Sequence, residues 1–193
     1  METIVGNSLV PCYLFLDVDG VLNDITSNAL TVPRVIKSDS KPLFLSQYIC
    51  PAKIERLRRI IQAHGNVVIV LSSHWRTDNF FRECLADIFT YYEMPAWIGV
   101  TPEEHDAYSH LFKVRMPRLS QSVPRAVEIK SWLLQNNEPT NYVAIDDRDI
   151  MYGTKTNYEN LFADVKDHFY QTRMCGLVDE DVDKIVSLMR KWS

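Results

Sequence analysis

Three apolar runs in this chain end in side chains able to hold a metal ion or a phosphate. Cys12 to Leu16 leads into Asp17 and Asp19, Asn66 to Leu71 into Ser72 and Ser73, and Tyr142 to Ile145 into Asp146 and Asp147. A D-x-D triplet alone decides little, because about 6% Asp gives roughly one chance match in a chain of this size. Four occur here: Asp17/Asp19, Asp147/Asp149, Asp179/Asp181 and Asp181/Asp183. The last two belong to an acidic helix start. Asp17/Asp19 differs in context, since it ends a buried run and leads into Gly20, a residue suited to a tight turn. Carboxylates gathered from two strand ends raise one another's proton affinity, and a cation relieves them. An all-oxygen donor set favours Mg²⁺.

Such a site needs strands that end together. The run Cys12 to Leu16 reads as a buried parallel strand, as do Asn66 to Leu71 and Tyr142 to Ile145, with a weaker strand at Ala96 to Val100. Between them the spacing predicts helices. Pro51 to His64 carries Ile54, Leu57, Ile60 and Ile61 on one face, with Gly65 just past its end. Thr77 or Asp78 caps a second helix running through Phe89, and Pro124 opens a third to about Gln135. Asp179 to Trp192 begins acidic and ends basic, as the helix dipole favours. Strands alternating with helices predict an α/β fold with a central, mostly parallel sheet flanked by helices. Ligands in such sheets bind outside the carboxyl ends of the strands. The expectation is that Asp17 and Asp146 lie within about 8 Å, roughly one Debye length, with room for an ion between them.

Composition narrows the function classes. The 193 residues are 46% hydrophobic and 24% charged, as in an ordinary globular protein. They are read as one domain, 1–193, interrupted by two poorly periodic insertions at about 24–50 and 102–123. A domain of this length can bury roughly 70% of its unfolded surface without disulfides or structural metal. The net charge of −4 argues against wholesale wrapping of nucleic acid, although local basic stretches exist. Residues 31–62 hold seven Lys/Arg against two acids, and residues 113–130 five against one. These can track a polyanionic backbone or form ordinary solvated helix faces. Cys12, Cys50, Cys84 and Cys175 have no metal-ligand spacing and read as reduced thiols. No apolar run approaches the roughly 18 residues of a membrane span, and no signal peptide is apparent. The expected setting is cytoplasmic, with no membrane partner.

The segments DVDGVLN (Asp17 to Asn23), VLSSHWR (Val70 to Arg76) and AIDDRD (Ala144 to Asp149) resemble the first, second and fourth motifs of the haloacid dehalogenase (HAD) superfamily of aspartate-dependent phosphatases. Finer features are similar to the HAD-type domains associated with RNA-repair proteins. These are SSHWR, Thr101-Pro102, and the R-x-x-E-I-x-x-W-L pattern from Arg125 to Leu133.

That resemblance implies a HAD-like Rossmannoid fold with short cap-like insertions only. It also implies a mechanism in which Asp17 attacks a phosphate monoester and forms an aspartyl-phosphate, while Asp19 serves as general acid and then general base. Mg²⁺ would be held by Asp17, the backbone carbonyl of Asp19 and Asp146, with Asp147 an additional or outer ligand. Ser72 would donate to a phosphoryl oxygen. The third-motif cation is assigned to Arg125, in the first turn of its helix, with Lys130 as runner-up. Arg76 would orient substrate phosphate. Trp75 reads as core, His74 as a bystander, and His105 and His110 as surface residues. Short insertions imply an open site, so the substrate reading is a phosphorylated nucleotide or a polynucleotide end. The alternative is an inactive HAD-fold module that binds nucleic acid or protein.

Overall fold

The computed structural model describes residues 10–25, 48–103, 106–107, 110–111, 125–150 and 163–192. Most of both insertions, Pro124 and His105 lie outside them. Five parallel strands form one sheet: β1 (Cys12–Leu16), β2 (Val67–Leu71), β3 (Gly99–Val100), β4 (Tyr142–Asp146) and β5 (Phe169–Gln171). Their order across the sheet is β3-β2-β1-β4-β5. Among the described residues the helices include α1 (Pro51–His64), α2 (Asn79–Tyr91), α3 (Arg125–Gln135), α4 (Ala163–Asp167) and α5 (Asp179–Lys191), with a 3-10 turn at His74–Thr77.

The period-2 alternation of the strands divides the core between two faces. Leu14, Leu16, Ile69, Leu71, Val143 and Ile145 pack against α1, α2 and α5. Phe15, Val70 and Ala144 face the other way, onto α3 and Val165 of α4. There Phe15 sits edge-on to Trp132 and Tyr142, with ring centroids 5.3 and 5.7 Å away. Helix α1 buries Ile54, Leu57 and Ile60 fully, each contributing about 1.5–3 kcal/mol by removal from water. It stops at Gly65, whose φ of 85° is left-handed and whose N–H donates to the Ile61 carbonyl at 3.0 Å.

Asp78, rather than Thr77, caps α2 by accepting from the N–H groups of Phe80 and Phe81. In α5 the Asp181 carboxylate turns back to accept from the Val178 N–H at 2.9 Å. Two features depart from expectation. The strand expected over Ala96 to Val100 shortens to Gly99–Val100, and β5 with its preceding helix α4 adds an edge beyond β4. A three-residue strand of sequence FYQ is too short for periodicity to reveal. The basic side chains of α1 are also largely spoken for: Arg56 and Arg59 both pair with Asp179, and Arg58 with Glu55. That favours the solvated-face reading for this part of the basic stretch. No helix among the described residues is long and apolar enough to cross a membrane.

Candidate active site

The strand order creates a switch point. From β1 the chain proceeds outward to β2 and β3, then returns to the opposite side of β1 as β4. In sheets of this kind ligands bind outside the carboxyl ends of the strands at such a point, here the ends of β1 and β4. Leu16 is in register with Ile145 on one side and Leu71 on the other. The residues that follow, Asp17, Asp146 and Ser72, are consequently neighbours. Backbone bonds fix this edge: Asp17 N–H to the Ile145 carbonyl at 3.0 Å, Ser72 N–H to that of Leu16 at 2.8 Å, and Thr172 N–H to that of Asp146 at 2.9 Å.

Asp17, Asp146 and Asp147, all buried, bring carboxylate oxygens within 4.8 Å of one another. This meets the expected separation. The loop after β1 turns at Gly20, whose φ of 67° is left-handed. A Cβ there would lie 2.5 Å from the Cβ of Asp147, so glycine lets the first-strand loop close onto the fourth-strand acids. Asn23 secures the turn by accepting from the Gly20 N–H at 2.8 Å, and Thr172 by donating to the Gly20 carbonyl at 2.9 Å.

Burial, reinforced by the neighbouring Asp146, pushes the Asp17 carboxyl up to about 8, against the opposing pull of Arg125 and of a hydrogen bond from Ser73. Asp147 is raised to about 6 by the same two causes. Three hard oxygen donors with an unmet demand for positive charge fit a small divalent cation. Because both folded-state values lie above the ordinary carboxylate value of 3.8, the folded chain binds these protons more tightly than the unfolded chain. Their stabilising contribution is full below about pH 4 and is lost as the pH rises through about 6 and then about 8. In chelator, wild type should therefore lose thermal stability relative to Asp17→Asn across that window. Calorimetric midpoints at several pH values check this, and a difference that stays flat would contradict it.

Arg125 faces the trio. Its Nε donates to Asp146 at 3.1 Å, its guanidinium lies 3.8 Å from Asp17, and another nitrogen donates to Glu128 at 2.5 Å. Burial works against its charge, but Asp17, Glu128 and Asp146 overcome this and hold it more firmly protonated than usual. Lys130 is placed elsewhere, bonded to Asp164 at 2.9 Å beside Tyr142 at the opposite end of β4. Five residues along a helix turn a side chain by about 140° and advance it by about 7.5 Å, so one helix cannot direct both residues to this edge.

Other assignments shift in detail. Arg76 is buried and donates to Glu128 at 2.6 Å and to the Ser73 carbonyl at 2.8 Å, so its guanidinium is an internal anchor rather than a free phosphate contact. Ser72 is buried, with Thr101 donating to its hydroxyl at 3.4 Å, while the adjacent Ser73 is the serine bonded to Asp17. Asp19 stands apart from the trio: its carboxylate accepts from Asn23 at 2.7 Å and from the Trp75 indole at 3.1 Å. Trp75 is buried as expected, but also polar in its contact. His74 and Asp149 are exposed, and His110 bonds Ser131 at 3.2 Å. All four cysteines are free thiols, Cys12 and Cys84 buried.

Sequence reasoning names Ser73 at the end of β2 without giving it a role, and assigns none to Glu128, Asn23 or Thr172. Ser73 had a signal, the doubled serine before HWR. Glu128 had another, its place three residues after Arg125 on the same helix face.

Comparison with known families places these features in one context. Residues 13–182 match the family model described as the HAD domain in Swiss Army Knife RNA repair proteins. Neither curated proteins nor solved structures yield a match. The match runs from the second residue of β1 into α5 and takes in both strand ends that carry the acidic trio, so the chain belongs to the family of HAD domains found in Swiss Army Knife RNA repair proteins.

Proposed function

We propose that this protein is a Mg²⁺-dependent phosphomonoester hydrolase that works through an aspartyl-phosphate on Asp17, with nucleotide or polynucleotide end phosphates as its substrates. The observation carrying this reading is the buried trio of Asp17, Asp146 and Asp147 at the switch point, faced by Arg125. When bound there, Mg²⁺ supplies positive charge that draws a dianionic ester toward an anionic nucleophile. Asp17, Asp146 and Asp147 would hold the ion, and the backbone carbonyl of Asp19 would add an uncharged oxygen to the three carboxylates.

An Asp17 oxygen forms a bond to phosphorus as the ester P–O bond breaks, and Asp19 gives its proton to the departing alkoxide. Asp19 then takes a proton from water, whose oxygen attacks phosphorus, releasing inorganic phosphate and regenerating the Asp17 carboxylate. Arg125 neutralises charge on the equatorial oxygens, and Ser72 donates to one of them. Asp146 and Asp147 remain spectators to bond making, holding the ion. The family's association with RNA repair supports a nucleic-acid substrate.

The test is phosphate release from p-nitrophenyl phosphate, phosphopeptides, and oligonucleotides phosphorylated at either end, with Mg²⁺ and with chelator. Release requiring Mg²⁺ and fastest on oligonucleotides is expected. Arg125→Ala should lower turnover by about 10²-fold or more, and Lys130→Ala by less than about threefold. No release from any monoester, with oligonucleotide binding that ignores Mg²⁺, would instead identify an inactive binding module.

A further inference from the structure

Trp75 packs its ring on Phe81, with centroids 4.9 Å apart, and is 6% exposed, which would suffice to explain it as a core residue. Its indole N–H nevertheless points at a carboxylate, lying 3.1 Å from each oxygen of Asp19. Asn23 donates to the same carboxylate, at Oδ1 2.7 Å away, and Asn23 is itself buried and fixed by the Gly20 N–H. Asp19 is thus held between a donor from the loop after β2 and a donor from its own loop.

The requirement this meets is chemical. A carboxylate two residues from the acidic trio is drawn toward any cation bound there, and an oxygen captured as a ligand cannot carry a proton to a leaving group. An indole is a donor with no acceptor function, so it can orient a carboxylate by one hydrogen bond and takes no proton from it. Resting on the phosphatase reading above, we infer that Trp75 is a positioning residue. Its N–H keeps the side-chain carboxylate of Asp19 off the metal and oriented for proton transfer.

Trp75→Phe deletes the N–H while keeping a ring against Phe81. The readout is kcat/KM, which reports the steps up to leaving-group departure, on two monoesters. An alkyl or nucleoside monophosphate must have its leaving oxygen protonated, whereas p-nitrophenolate departs without a proton. Trp75→Phe should lose about tenfold or more on the first and less than about threefold on the second. Equal losses, as a purely structural role would give, overturn the assignment, and so does an unchanged ratio with no loss on either. Independently of turnover, the Trp75 indole N–H resonance should move in Asp19→Ala; a resonance that stays in place refutes the hydrogen bond. A wild type that hydrolyses no monoester removes the phosphatase reading and this role together, whereas an active wild type with a flat Trp75→Phe response removes this role alone.

Discussion

Asp17→Asn is expected to abolish Mg²⁺-dependent phosphate release, lowering turnover by about 10³-fold or more, because the amide oxygen is a poor nucleophile toward phosphorus. The loss should not come from unfolding. Asp17 is buried among like charges, and burial together with Asp146 raises its proton affinity, so a neutral isostere relieves strain in the folded state. Above neutral pH and without divalent ion, the variant should melt at or above the wild-type temperature. Phosphate release in Mg²⁺ by matched wild-type and variant preparations decides the matter. Equal rates would reject covalent catalysis at this residue. A variant that is inactive because it is unfolded would show in the melt.

The second large effect is expected at Glu128. Its carboxylate is 3% exposed and divides two oxygens between two guanidiniums, Arg76 at 2.6 Å and Arg125 at 2.5 Å. Burial already weakens the hold of Arg76 on its proton, and Glu128 is the principal group opposing that. Glu128→Ala leaves the buried Arg76 charge uncompensated, a loss of about 3–5 kcal/mol by analogy with other broken buried pairs. In a domain of this size that corresponds to a fall of roughly 6–20 °C in melting temperature. Turnover should fall too, because Arg125 loses the partner that holds its guanidinium over Asp17 and Asp146. Combining Arg76→Met with Glu128→Ala should recover much of the stability without recovering activity, since only the first penalty is a stranded charge. A Glu128→Ala midpoint within about 2 °C of wild type would show that the network carries no such load.

Much of this architecture is legible in the sequence where a physical signal is local. The run CYLFL is apolar because β1 is central in the sheet, and it stops at Asp17 because the strand there reaches the sheet's carboxyl edge, where the acidic trio gathers. Pro51 and Gly65 bracket α1 for reasons of backbone conformation alone. The acidic trio could be anticipated because two runs end in Asp and parallel strands end together.

What escaped the sequence depends on three-dimensional pairing. The preference for Ser73 over Ser72 as the hydroxyl on Asp17 turns on which way the chain rotates into the 3-10 turn at His74–Thr77, and adjacent serines look alike in sequence. Arg76 is one of many cations until Glu128, 52 residues away, is seen beside it. The apolar ring of Trp75 reads as core, and its single polar atom finds a partner only because β1 and β2 are neighbours. Helix α4 and strand β5 are simply too short for a period to emerge.

Titration calorimetry of Mg²⁺ into wild type, Asp146→Asn and Lys130→Ala tests most directly whether the ends of β1 and β4 share a divalent ion. The account predicts one ion per chain, a loss of about tenfold or more in affinity for Asp146→Asn, and unchanged binding for Lys130→Ala. Heats that do not saturate in wild type, or equal affinity in wild type and Asp146→Asn, would contradict it.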